Sequence, residues 1–227
     1  MRCGALRPIV SVGICAALFL SVDSRAADST AAELAQALQH RYAAVRDFSA
    51  DFVHETQSGV LKKRMTERGT LLVKKPGKMR WEYTAPEKKL FVSDGVKTFL
   101  YVPADRQVFI GTLPPDDTAT TPILFLAGKG DLTRDFTSAL SDPSAGLPQG
   151  TRALKLTPKT SQPEYEWLTL AVEPGTLQLR ALAMMDAQGG LSTFTFTNLK
   201  ENAGLSDQSF VFKLQSGIDV VTDTSRP

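Results

Sequence analysis

Cysteine is almost missing from this chain: of 227 residues only Cys3 and Cys15 are cysteine, and both fall before residue 27. Beyond that point no disulfide and no thiolate metal site can form, so the fold must be held by its apolar core. Histidine is nearly as scarce. His40 and His54 have neither the spacing of a metal-ligand pair nor that of a helical zinc motif, and they read as surface or rim residues with no metal bound. There is no Gly-x-Ser-x-Gly elbow and no serine–lysine motif in a convincing context. Gly128-Lys129-Gly130-Asp131 lacks the leading glycine and the following Ser or Thr of a phosphate loop, and reads as a loop that ends a helix. Carboxylates are scattered over strands and turns, so a pair such as Asp94 with Glu164 has no support as acid and base. These absences point away from an enzyme and call for no cofactor.

Long apolar runs are missing too, apart from residues 9–22. Arg2 and Arg7 precede that run and Ser24-Arg25-Ala26 follows it, the pattern of a secretory signal cleaved after Ala26. It is too short, and wrongly flanked, for a spanning helix. A lipoprotein signal at Cys15 fits poorly because bulky Ile14 precedes it. Of the 26 basic residues this leader holds Arg2, Arg7 and Arg25, and of the 24 acidic ones Asp23, so the remainder is balanced. Nothing in that balance suggests a nucleic-acid or anionic-lipid partner. Residues 1–26 are expected to be removed and 27–227 to form a single domain without repeats or low-complexity tracts.

What the sequence does contain is alternation. Thr30 and Glu33 match a capping box, and Leu34, Leu38, Tyr42 and Val45 follow on one helical stripe, which predicts an amphipathic helix of about four turns. The period then changes to that of a strand, with Phe48, Ala50 and Phe52 on one side. A long strand over 65–74 turns back at Lys75-Pro76-Gly77-Lys78 into 79–84, where Met79, Trp81 and Tyr83 share one face and Arg80 and Glu82 the other. Strands over 88–93, 97–102 and 107–111 complete a six-strand meander. Thr121-Pro122 reads as an N-cap with proline at the first helical position, opening a very apolar two-turn helix that ends at Gly128. Leu132 and Phe136 suggest another helical turn, and 141–150 a loop. Strands resume at 152–158, 166–173, 177–186, 191–199 and 209–213. The fold class is mainly β (α+β): about eleven hairpin-linked strands in an antiparallel sheet or open barrel.

Two helices are thin cover for eleven strands. Part of the concave face could therefore be left for an apolar ligand. Equally, Trp81, Tyr83, Phe91, Phe99 and Phe109 could all be ordinary core, and composition does not separate the two readings.

The order and spacing of several motifs resemble a known family. Phe48-Ser49-Ala50-Asp51-Phe52, then Gly69-x-Leu71-x-Val73-x-Lys75-Pro76, Met79-Arg80-Trp81-Glu82-Tyr83, Leu90-x-Val92-Ser93-Asp94-Gly95 and the late Phe210-Val211-Phe212 are similar to the periplasmic outer-membrane lipoprotein carriers, the LolA family. The likeness covers nearly all of 27–227 and is strongest over 48–102. It implies an incomplete antiparallel β-barrel closed by short helices, around an apolar cavity that holds the acyl chains of a lipoprotein. It also implies a periplasmic monomer that takes acylated lipoproteins from an inner-membrane ABC transporter to an outer-membrane lipoprotein receptor. On that reading the lipid-facing residues are Leu34, Leu38, Tyr42, Val45, Phe52, Met79, Trp81, Tyr83, Phe91, Ile123, Leu124 and Leu126. Lys75, Lys78 and Met79 would face partners. Lys75 stands where the family usually has arginine before the proline; lysine keeps the charge but loses the planar fork. The two helices are expected to act as a lid that ligand displaces. The alternatives are a related envelope module that senses lipoproteins or carries another lipid such as a glycolipid or pigment precursor, an envelope lipid hydrolase, and a transmembrane barrel. The last is opposed by Arg68, Lys74, Arg80, Lys88, Lys89 and Arg180.

Overall fold

A computed structural model describes residues 1, 30–113, 125–142 and 146–222. The predicted signal peptide lies outside these residues, as do Ile123 and Leu124. The first helix, α1 (Ala31–Ala44), begins as its sequence requires: Thr30 Oγ1 accepts from the Glu33 amide at 3.3 Å, and Glu33 Oε2 accepts from the Thr30 amide at 2.7 Å. Its buried stripe is Leu34, Ala35, Leu38 and Tyr42. No helix among the described residues is long and apolar enough to cross a membrane.

Twelve strands follow: β1 (Asp47–Gln57), β2 (Arg64–Lys74), β3 (Lys78–Ala85), β4 (Lys89–Asp94), β5 (Lys97–Val102), β6 (Gln107–Thr112), β7 (Phe136–Ser141), β8 (Arg152–Pro158), β9 (Trp167–Val172), β10 (Leu179–Met185), β11 (Leu191–Glu201) and β12 (Asp219–Thr222). A single turn of helix, α2 (Leu132–Asp135), precedes β7, capped by the Asp131 carboxylate. All strands lie in one sheet, ordered β12-β6-β5-β4-β3-β2-β1-β11-β10-β9-β8-β7. Two meanders, β1–β6 and β7–β11, are thus joined where β1 pairs with β11, and every pairing is antiparallel except β12 on β6. Among the described residues the sheet stays open between β7 and β12.

Three sequence expectations change. Residues 209–213 form no strand; 207–210 are a 3₁₀ turn whose Phe210 is buried. Phe136 opens β7 instead of closing a helical turn, because its side chain joins the core while Thr137 and Ala139 point out. β12 is exposed at all four residues, so no apolar alternation announces it.

The sheet buries side chains on both faces. The inner face, under α1, carries Phe48, Ala50 and Phe52 of β1, Leu71 and Val73 of β2, Met79 and Trp81 of β3, and Phe194 and Phe196 of β11. The outer face of β3–β6 is covered by the C-terminal segment: Val92, Val108 and Phe210 are buried there, and Phe212 stacks on Phe99 at 5.2 Å. Phe99 therefore belongs to the outer layer, away from the face on which Trp81 lies.

Candidate functional site

Alternation in the strands puts an aromatic floor at the centre of the inner face. Phe52 meets Trp81 edge-on at 5.1 Å and Tyr83 at 5.0 Å, and Phe194 stands 5.1 Å from Trp81. Burial pushes the Tyr83 phenol up to about 12, with the nearby Glu67 carboxylate adding to the effect. Phe194 and Phe196 were absent from the expected site, although the alternation of 191–197 was visible. Only the β1–β11 pairing brings them beside Phe52. In the same buried cluster are Leu34, Leu38, Tyr42 and Val45 of α1 and its C-cap, together with Phe125, Leu126 and Leu132. Tyr42 and Phe125 are in ring contact at 5.8 Å. Phe91 is only partly buried against the cluster. Met79, expected to face both lipid and a partner, is 1 % exposed and lies in the buried cluster.

One turn fastens this cover. Lys75 sends its Nζ to the Tyr42 carbonyl in the last turn of α1, at the negative end of the helix dipole, where that oxygen also accepts from the Val45 amide at 3.2 Å. Its stem lies against Gly128, where a Cβ would come 2.7 Å from Lys75 Cδ and where φ is +83°. Glycine is needed there on both counts. Gly77 N donates to the Ala127 carbonyl at 3.0 Å, and Lys75 N to that of Arg46 at 2.8 Å. The turn thus holds both the end of α1 and the 125–128 segment. Burial pulls the Lys75 ammonium below the ordinary lysine value, while Glu201 acts in the opposite sense. Glu201 itself accepts from Arg41 Nη2 at 2.5 Å, a second tie on the same end of the helix. Lysine's single ammonium serves one carbonyl here, where a guanidinium fork could serve two.

Lys78 does something else. With Lys74 it reaches the exposed Asp207 on the outer side, at 3.0 and 2.7 Å, which holds that carboxyl below its usual range. The structure separates Lys78 from the Lys75 turn's inward contacts.

Toward the opposite end of the strands the inner face becomes polar. Glu67 is buried between Lys89, whose Nζ donates to Oε1, and His54, whose Nδ1 lies 3.2 Å from Oε2. His54 Nε2 is 2.8 Å from Ser192 Oγ, and the imidazole stacks on Phe194 at 3.9 Å. The carboxylate fixes the tautomer, with Nδ1–H donating and Nε2 accepting. His54 is therefore a half-buried residue at the polar rim of the interior, with both ring nitrogens engaged. The sequence is carboxylate, imidazole, hydroxyl, but Lys89 engages the same carboxylate and Phe194 covers a ring face. The network ends the apolar interior with polar groups that satisfy one another. Asp94 is also engaged locally, its Oδ1 accepting from the Val96 and Lys97 amides. Among the described residues no group of three His, Cys, Asp or Glu could hold a metal.

Burial of the imidazole outweighs the pull of Glu67 and holds His54 below the ordinary histidine value. The unfolded chain therefore binds the proton more readily as pH falls through about 6.5, so this group stabilises the fold above that pH and loses its contribution below it. The midpoint of thermal unfolding should drop between neutral and mildly acidic pH, and drop less in a His54→Gln variant. Parallel pH slopes in the two proteins would show that His54 is not a source of the dependence.

The profile of the family described as "Outer membrane lipoprotein carrier protein LolA" matches residues 43–213. The outer-membrane lipoprotein carrier protein of Chromohalobacter salexigens is 31 % identical over 215 residues, covering 94 % of this chain and 96 % of its own. That of Dechloromonas aromatica is 31 % identical over 176 residues, covering 78 % and 81 %. An uncharacterized conserved protein of Thermus thermophilus, at 12 % identity, superposes with a TM-score of 0.52 over 83 % of this chain and 98 % of its own, a likeness of fold alone. The profile spans most of this open, helix-covered sheet, and the chain belongs to the outer-membrane lipoprotein carrier family, LolA.

Proposed function

We propose that this protein is exported to the periplasm by its first 26 residues and there carries lipoproteins as a monomer, shielding their acyl chains on the inner face of the sheet. It would receive them from an inner-membrane ABC transporter and pass them to an outer-membrane receptor. The observation that carries this reading is the Lys75 turn, which ties the last turn of α1 to the edge of an apolar interior through one ammonium and one carbonyl. The proteins to which the chain is similar are named as carriers of this kind.

The physical need is large. Burying about a dozen methylenes at ~0.8 kcal/mol each is worth ~10 kcal/mol per acyl chain, so a lipoprotein leaves a bilayer only into an equally apolar shelter. A carrier must also let go. Cover and cargo compete for the same floor of Phe52, Trp81 and Phe194, so the free energy of closing the cover offsets part of the affinity for the cargo.

Lys75→Met tests this competition, because methionine keeps the stem against Gly128 and removes only the charged donor. Losing a hydrogen bond to a charged group at a half-buried site weakens closure by ~1.5 kcal/mol. The variant should bind a triacylated lipopeptide about tenfold more tightly and release it more slowly to an acceptor. Weaker or unchanged binding would reject the competition. The role itself is tested by depleting the protein and fractionating the envelope: lipoproteins should accumulate in the inner membrane, and normal sorting would overturn the reading.

A further inference from the structure

The inner face does not end under α1. Trp81 on β3 pairs with Phe91 on β4, Phe91 with Leu100 on β5, Leu100 with Phe109 on β6, and Phe109 with Val221 on β12. Directly paired residues point to the same face, so these five side chains form one row across five strands. Burial falls along it. Trp81 is 2 % exposed, Phe91 is partly buried against the core, and Leu100, Phe109 and Val221 are 37, 41 and 38 % exposed. The row starts in the aromatic floor and runs out to the open edge of the sheet.

Its width sets the class of occupant. The neighbouring residues on the same face are Ser93, Thr98 and Gly111 on one side, and Lys89, Val102, Gln107 and Asp219 on the other, of which Val102 alone is a large apolar residue. The apolar track is therefore about one side chain wide. At the usual ~4.8 Å between strands, its four steps span roughly 19 Å, the length scale of an extended fatty acyl chain. A stable protein interface buries about 800 Å² on each partner, far more than a single row of this kind presents.

We infer that the row Phe91–Leu100–Phe109–Val221 is a binding track for one long acyl chain, continuous with the shelter beneath α1 and taking the part of a ligand that does not fit there. This rests on the carrier reading and adds to it the place of a chain outside the covered interior. Two sources could supply such a chain, a lipoprotein and a membrane phospholipid, and the test separates them.

Mature wild-type protein is mixed with a synthetic triacylated lipopeptide carrying a diazirine near the end of one palmitoyl chain, and in a second arm with phospholipid vesicles bearing the same group. After irradiation, adducts are mapped by mass spectrometry. Labelling of Leu100, Phe109 or Val221 by the lipopeptide supports the track. Labelling there by vesicle lipid alone, or by neither probe, overturns it. Affinity gives a second readout, because Leu100→Ser with Phe109→Ser changes side chains that are already about 40 % exposed and leaves the fold intact. This double variant should bind the palmitoyl lipopeptide about tenfold more weakly, the worth of roughly two methylenes, and bind an octanoyl lipopeptide as the wild type does. Equal losses for both lengths, or none, would overturn the track alone. Failure of the wild type to bind either lipopeptide would overturn the track and the carrier reading together.

Discussion

The Gln39→Cys, Thr133→Cys variant, bridged by a short flexible bismaleimide, should bind a triacylated lipopeptide at least about a hundredfold more weakly than the same variant unbridged. Gln39 Oε1 accepts from the Leu132 amide at 3.0 Å, so α1 already touches α2 at this point, and Thr133 is the exposed residue next along. The bridge therefore fixes an existing contact and leaves the core unchanged. Leu34, Leu38 and Tyr42 fill the same buried cluster as Phe52 and Trp81, and on the proposed reading an acyl chain would have to take their place in it. A ligand that needs the uncovered state gains nothing from a protein that cannot reach it. No cysteine occurs after Cys15, so in protein produced from residue 27 onward the two new thiols are the only ones and labelling is clean. Reduction does not undo a thioether, so the control is the unbridged variant, which should load as well as wild type or better. Equal uptake with and without the bridge would mean that cargo enters without displacing α1.

Gly69→Val should leave almost no folded protein. Gly69 sits mid-way along β2 opposite Phe52 and Tyr83, next to the register shift after Arg68. A Cβ there would come 2.0 Å from the Glu82 carbonyl oxygen and 2.9 Å from Phe52 Cε1. The first of these is backbone and cannot step aside without breaking the β2–β3 ladder. The second is the ring on which the aromatic floor is centred. A loss above about 4 kcal/mol is expected, enough to unfold a domain of ordinary stability. Gly111→Ala is the matched control: its Cβ would meet Thr98 Oγ1 at 2.9 Å, a small side chain that can rotate. Urea titrations of the soluble fractions compare the two. A Gly69→Val midpoint near that of wild type would mean that the backbones of β2 and β3 are not so close.

Periodicity made the first half of the molecule readable. The capping box of α1, its stripe and the six-strand meander all follow from residues near one another in sequence, and the structure keeps each of them within a residue or two. The second half depended on contacts that no local pattern carries. Phe210-Val211-Phe212 looks like alternation, yet Phe210 is buried from a 3₁₀ turn laid over β3 and β4 rather than from a strand. β12 pairs with β6 while exposing all its side chains, and its adjacent Val220 and Val221 show no alternation that would mark it. The polar network was equally hidden. His54, Glu67 and Ser192 come from three strands, with Ser192 138 residues beyond His54, and become neighbours only once β11 lies beside β1. Lys75 was singled out by its place before proline. That its ammonium ends on the Tyr42 carbonyl is set by where α1 stops, which spacing alone does not fix.

The C-terminal segment gives the sheet a brace that owes nothing to α1. Phe210 and Phe212 sit on the outside of β3–β5, and Asp207 is clamped there by Lys74 and Lys78. On the proposed reading, lifting of the helix would strip a layer from one side of the strands only. The bare scaffold can therefore wait in its curved shape for a cargo, where an unbraced sheet with one wetted face would flatten or stick to its neighbours.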